Sequence, residues 1–127
     1  MAKPNETERE SPSSIVKALV HRIPTGRVAS YGVIGRAAAA MARPIGGART
    51  VAWILASLKR GDDTPWHRVV GAGGIILLPD DRGAKQRTRL HREGIHLVKG
   101  KVPAPCLIDE NDLLADHPRS RRKRTKT

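Results

Sequence analysis

Ser30-Tyr31-Gly32-Val33-Ile34-Gly35-Arg36-Ala37-Ala38, followed by Pro44-Ile45-Gly46-Gly47-Ala48-Arg49-Thr50-Val51-Ala52-Trp53-Ile54-Leu55, decides the fold of this chain. Ser30 is a good helix N-cap, and Ile34, Ala37, Ala38 and Met41 follow it on one apolar stripe. Pro44 to Gly47 breaks that helix. A further helix starts near Ala48, with Val51, Ile54, Leu55 and Leu58 at core spacing. Two short helices around a glycine-containing break predict a helix-turn-helix pair. A second face of the later helix carries Ala48, Ala52 and Ala56 one turn apart, with Arg49 beside them. Such small side chains suit a helix that must approach a partner closely, although alanine is also simply a good helix former.

Working outward, Ser11 or Ser13 caps an earlier helix whose Val16, Leu19, Val20 and Ile23 share a face, ended by Pro24-Thr25-Gly26. Gly61 to Pro65 is a loop that delivers Trp66 and His67. Arg68-Val69-Val70, Gly71 to Gly74 and Ile75 to Leu78 predict strand, turn and strand, a hairpin wing. Ala84 to Glu93 predicts a polar helix stopped at Gly94, and Ile95 to Val98 a short final strand. The fold expected is mainly α with a small β-hairpin: a winged helix-turn-helix domain over residues 12–101. A flexible lead (1–11) precedes it. A mobile tail (102–127), Pro-rich, then acidic, then basic, follows.

The formal charge of +12 points to a polyanionic partner. Six cations between Arg119 and Lys126 crowd the last nine residues, yet the rest of the chain still carries +6. At 127 residues with three aromatic rings, a small aliphatic core is expected and a deep cofactor cavity is not, so no cofactor is expected. The lone cysteine, Cys106, excludes an internal disulfide and suits a reducing compartment. His21, His91, His96 and His117 show no metal-ligand spacing with it, so no metal is expected. No apolar run reaches bilayer length and Met1 to Glu10 is not signal-like. The expectation is a soluble, monomeric, cytoplasmic protein associated with the nucleoid through DNA.

Pro65-Trp66-His67-Arg68-Val69-Val70 resembles the active-site stretch of the O6-alkylguanine-DNA alkyltransferases, with Trp66 where that family carries its acceptor cysteine. Gly26 to Tyr31 resembles the segment of that family ending in Ser-Tyr at a helix start. Gly46 to Val51 resembles the start of its recognition helix, and His91-Arg92-Glu93-Gly94 its His-Glu-Gly-like stretch. The resemblance spans about residues 12–98. It implies the winged fold of the family's C-terminal domain, a recognition helix that enters the minor groove, and an arginine finger at Arg49. It also implies a tyrosine, Tyr31, that presses on the phosphate as the nucleotide rotates. His67 and Glu93 match the pair that helps to ionise the cysteine. Without a nucleophile they have no evident catalytic task and are expected to fix the loop instead.

An indole has no ionisable sulfur, so the resemblance implies a catalytically inactive, alkyltransferase-like lesion reader without catalytic residues. The set expected to touch DNA or the lesion is Ser30, Tyr31, Ala48, Arg49, Thr50, Ala52, Trp66, His67, Arg68, Val69 and Val70. The backbone of Val69 and Val70 and the wing from Ile75 to Pro79 are expected to line the pocket above Trp66. Arg27, Arg36, Arg43, Lys59, Arg60 and Arg68 are expected on phosphates. The partner implied is double-stranded DNA containing O6-alkylguanine, with nucleotide excision repair proteins drawn to the complex. The wing diverges from the family, so no contact to the alkylated oxygen carries over. Two alternatives remain: a winged-helix regulator or nucleoid protein reading undamaged DNA, and a transferase with another acceptor, for which Cys106 lacks a neighbouring histidine.

Overall fold

Ser11 opens the first helix, α1 (Pro12–His21), by accepting a hydrogen bond from the Ser14 amide at 3.1 Å, in a computed structural model that describes residues 11–115. The rest of the expected lead (1–10) and the basic end (116–127) lie outside the described residues. Ile15, Val16, Leu19 and Val20 of α1 are buried, and Ile23 follows them into the core. After the turn comes β1 (Ala29–Ser30), whose last residue doubles as a helix cap: the Ser30 hydroxyl accepts from the Val33 amide at 3.0 Å. That cap starts α2 (Tyr31–Ala40), which buries Tyr31, Val33, Ile34, Gly35, Ala37 and Ala38. α3 (Ala48–Ala56) buries Val51, Ile54 and Leu55 against α1 and α2. Gly46 sits in the joining turn at φ 103°, a left-handed conformation that favours glycine. The helix-turn-helix register follows from these caps and stripes.

The wing departs from expectation. Val69–Val70 forms β2, but it pairs in parallel with β1 (Ala29 opposite Val69, Ser30 opposite Val70), not with residues 75–78. Both valines are fully buried, which fits a strand covered on both faces better than a hairpin strand with a wet side. The glycine-rich turn instead winds into a 3-10 turn (Ala72–Gly74), closed by Gly71 N–H donating to the Ile75 carbonyl at 2.7 Å. Ile75 then bridges Lys101. The strand expected at 95–98 reduces to one antiparallel bridge between Val98 and Lys101. The architecture is therefore mainly α with a two-stranded sheet, and that sheet is parallel.

Helix α4 (Asp80–Arg92) begins four residues earlier than periodicity indicated and buries Gly83, Gln86 and Leu90. The expected mobile tail is also corrected for its first part. Val28 N–H donates to the Cys106 carbonyl and Ile108 N–H to the Val28 carbonyl, each at 2.9 Å, so residues 106–108 run beside Val28, just before β1. Asp109 and Asp112 form a reciprocal capping box for α5 (Glu110–Leu114). The acidic run is thus a helix start, and Leu113, 2% exposed, belongs to the main core. Arg22 donates to the Leu113 carbonyl at 2.9 Å.

Leu113→Ala should lower the free energy of unfolding by about 2–5 kcal/mol, as for other core leucines. Urea denaturation checks this. A change below about 0.5 kcal/mol, the scale of surface substitutions, would mean that α5 is not part of the cooperative unit.

Candidate nucleic-acid interface

The loop before β2 is pinned by its acids. Asp62 accepts from the Thr64 amide (2.9 Å) and hydroxyl (2.6 Å) and pairs with Lys17 at 2.8 Å. Lys17, with Thr64 in support, holds the Asp62 carboxyl well below the usual carboxylate range. Trp66–Arg68 then forms one 3-10 turn. Successive residues of so tight a turn diverge: His67 goes inward at 8% exposed, while Trp66 stays half-buried at the surface.

Inward lies a network centred on Glu93. Its carboxylate accepts from the Gly26 amide (2.9 Å), faces His67 Nε2 (2.6 Å) and takes Arg68 Nε at 3.1 and 3.0 Å. Arg68 also donates to the Ile23 carbonyl (2.8 Å) and the Thr25 hydroxyl (3.0 Å). Burial pushes the Glu93 carboxyl up, but the bonds from Arg68, Gly26 and His67 outweigh it and hold the group at about 2. Burial lowers His67 despite the pull of Glu93, with the charges of Arg68 and Arg89 adding to the effect. A neutral ring that donates through Nε2 leaves Nδ1 as a bare acceptor, and Nδ1 has no partner among the described residues.

Helix α4 holds the same loop from the other side. Gln86, 1% exposed, donates to the carbonyls of His67 (3.1 Å) and Val69 (2.8 Å). One turn either way, Arg82 and Arg89 bring their guanidinium carbons to 6.0 and 5.4 Å from the Trp66 ring centre, within cation–π reach. Gly83 lets the Leu78 backbone lie against α4, since a Cβ there would collide with the Leu78 carbonyl. The result is a small pocket lined by Tyr31, Ala52, Leu55, Ala56, Trp66, Leu78 and Arg82. Its cavity volume is about 10 Å³, room for about one water molecule. Burial raises the Tyr31 phenol above its ordinary value, opposed by Arg82.

Of the residues singled out from sequence, Tyr31, Ala52 and Trp66 meet at this pocket. Ala48 and Arg49 are exposed on α3, Thr50 is half-buried, and Ser30 serves as a cap. His67 and Arg68 belong to the Glu93 network. Val69 and Val70 are not in the pocket lining, because pairing with β1 buries them. Of the wing, only Leu78 reaches the pocket, while Leu77 is exposed. Arg68 is occupied by Glu93 rather than displayed for a phosphate; Arg36 pairs with Glu110 at 3.3 Å and Arg27 leans on the Pro105 carbonyl at 3.4 Å. Arg43, Arg49, Lys59 and Arg60 are exposed. Sequence reasoning missed Arg82, Gln86 and Arg89. Their spacing of four and three along one helix face was the available signal.

Comparison with known proteins shows the family. Residues 13–95 match the family described as 6-O-methylguanine DNA methyltransferase, DNA binding domain. The chain belongs to that family. It is 38% identical over 86 residues to a DNA base-flipping protein of Vibrio parahaemolyticus, covering 67% of this chain and 82% of the relative. To the DNA base-flipping protein of Escherichia coli it is 35% identical over 102 residues, covering 76% and 74% of the two chains. Among solved structures it is similar to S. pombe Atl1 in complex with damaged DNA containing O6-carboxymethylguanine. There the TM-score is 0.65 at 26% identity, over 85% of this chain and 99% of that one. A second complex, S. pombe ATL with DNA, aligns with TM-score 0.58 at 26% identity, over 83% and 94%.

Two predictions test the network. Glu93 is held below its ordinary 4.5, so its stabilisation is full above that value and is lost as pH falls towards about 2. His67 is held below 6.5, so the unfolded chain takes up its proton first and stability already declines as pH drops through that value. Urea denaturation from about pH 7 to pH 3 should show both limbs. Glu93→Gln should make the acid limb shallower, Asp62 supplying what remains. An unchanged acid limb would contradict the assignment. Gln86→Leu should cost about 1–3 kcal/mol by orphaning two buried carbonyls, measured in the same way. A neutral result would mean that the loop holds itself.

Proposed function

We propose that the protein is a non-enzymatic sensor of O6-alkylguanine in duplex DNA. The observation that carries this reading is Trp66, which lines one pocket with Tyr31, Ala52 and Ala56, at the position where the transferases resembled here hold their acceptor cysteine. Cys106 is no substitute: it packs against the separate Val28, Val70, Leu90, Ile95 and Val102 cluster, with its backbone hydrogen-bonded to Val28. The damaged-DNA complex of the similar Atl1 supports the choice of lesion, and the base-flipping relatives support the way it is reached.

On this reading α3 enters the minor groove, its Ala48 and Ala52 permitting close approach. Arg49, exposed at the first turn, takes the place of the extruded base in the stack, and Tyr31 presses on the adjoining phosphate. Extrusion costs a few kcal/mol, least for a badly paired base, which favours the lesion over intact guanine. The cavity of about 10 Å³ is too small for a purine, so Arg82 and Leu78 must swing aside for the base to reach the indole. The Glu93–His67–Arg68 network holds the loop and performs no proton transfer. The protein acts as a DNA-associated cytoplasmic monomer, and its persistent complex draws nucleotide excision repair proteins.

Titration of one short duplex with and without a single O6-methylguanine, at fixed salt, tests the proposal. At least about tenfold preference (roughly 1.4 kcal/mol) with unchanged protein mass is expected. Equal binding would favour a regulator of undamaged DNA, and a gain of one methyl would indicate transfer. Arg49→Ala should cost about 1–3 kcal/mol on the lesion duplex and less on the intact one. Equal loss on both would remove the finger role.

A further inference from the structure

Trp53 is 69% exposed, more than Leu77, Val98 or Ile75 among the exposed large apolar side chains, and the pocket does not use it. It stands on α3 four residues after Arg49, on the side opposite Val51, Ile54 and Leu55 and flanked by Ala52 and Ala56. Trp66 is covered by two guanidinium groups. Trp53 has no ring or cation partner among the described residues. Its backbone is held in the last turn of α3, where its carbonyl accepts from both the amide (3.1 Å) and the hydroxyl (2.9 Å) of Ser57. An indole left in water on a helix forgoes the burial that normally rewards it. α3 contains no acidic residue, and exposed Arg43, Lys59 and Arg60 flank it, so the surface that would cover the ring is a polyanion.

We infer that Trp53 is a second DNA contact: an apolar wedge that packs its indole against sugar and base edges in the minor groove beside the Arg49 position. The inference rests on the reading of α3 as the DNA-facing helix. Four residues span about 6 Å of helix axis, close to two base rises of about 3.4 Å. Arg49 and Trp53 can therefore engage base steps about two rises apart without competing. Side chains of this kind pry base steps apart and bend the duplex. Trp53 does not line the lesion pocket, so its contribution is independent of the lesion. It sets overall affinity and bending, whereas the pocket sets discrimination.

Full-length protein labelled with 5-fluorotryptophan gives two fluorine resonances, one per tryptophan, assigned by Trp53→Phe. With intact duplex at saturation, the Trp53 resonance should lose most of its solvent isotope shift. Trp53→Ala should weaken binding to intact and O6-methylguanine duplexes alike, by about tenfold or roughly 1.4 kcal/mol. The ratio between the two should hold within about twofold, and the melting temperature should not change. A Trp53 resonance as solvent-exposed in the complex as in free protein would overturn the inference. So would affinity loss below twofold, or protection that grows with protein concentration in the absence of DNA, which would indicate a second copy as the occupant. Failure of the sensor reading is seen separately, as a wild-type protein that binds both duplexes equally whatever Trp53 does.

Discussion

Glu93, at the C-terminal end of α4, joins two pieces of chain that are distant from it in sequence: the turn after α1 through the Gly26 amide, and the loop before β2 through His67 and Arg68. Arg68 extends the junction to the Ile23 carbonyl and Thr25. Such a junction is stable only if the carboxylate remains charged, and the donors around it hold it near 2 despite its burial. The loop that carries Trp66 is therefore fixed from beneath by charge, and from the α4 side by Gln86. On the proposed reading the His67–Glu93 pair, beside an indole rather than a thiol, serves as a structural clamp.

The clamp matters because Trp66 is held between unlike neighbours. Below it lie the main core and Tyr31; above it pass Arg82 and Arg89. Arg82 and Arg89 are exposed, and cation–π contacts at exposed sites are worth about 0.5–1 kcal/mol each. On the proposed reading they are weak enough for a planar base to displace them. Arg82 and Arg89 are also cationic, so on the proposed reading the guanidinium displaced by a base finds a phosphate nearby. On that reading a weakly held cover suits binding that must follow extrusion.

The helices and their caps were legible because a cap and a stripe are local. Ser11 and Ser30 lie next to the residues they cap, and the buried faces of α1, α2 and α3 repeat within a few residues. Trp66 and Tyr31 were singled out through the resemblance and Ala52 through its spacing along α3, and the fold brings the three to one pocket. The wing misled because Val69-Val70, glycines and Ile75-Ile76 have the local composition of a hairpin, while the partner of β2 lies about forty residues upstream at Ala29–Ser30. Asp109-Glu110-Asp112 carried the same charge pattern whether solvated in a tail or capping a helix. The capping box and the burial of Leu113 distinguish the two.

The sequence by itself determined the helical register, the basic character of the chain and the side chain at position 66, because each is a property of neighbouring residues or of composition. Tertiary structure alone decided that β1 and β2 run parallel, that Gln86 holds the loop, that Arg82 and Arg89 cover Trp66, that Arg68 is occupied by Glu93, and that Trp53 remains bare. Each of these depends on which distant segments come within hydrogen-bonding or van der Waals reach, and that is settled by how the two apolar clusters pack together.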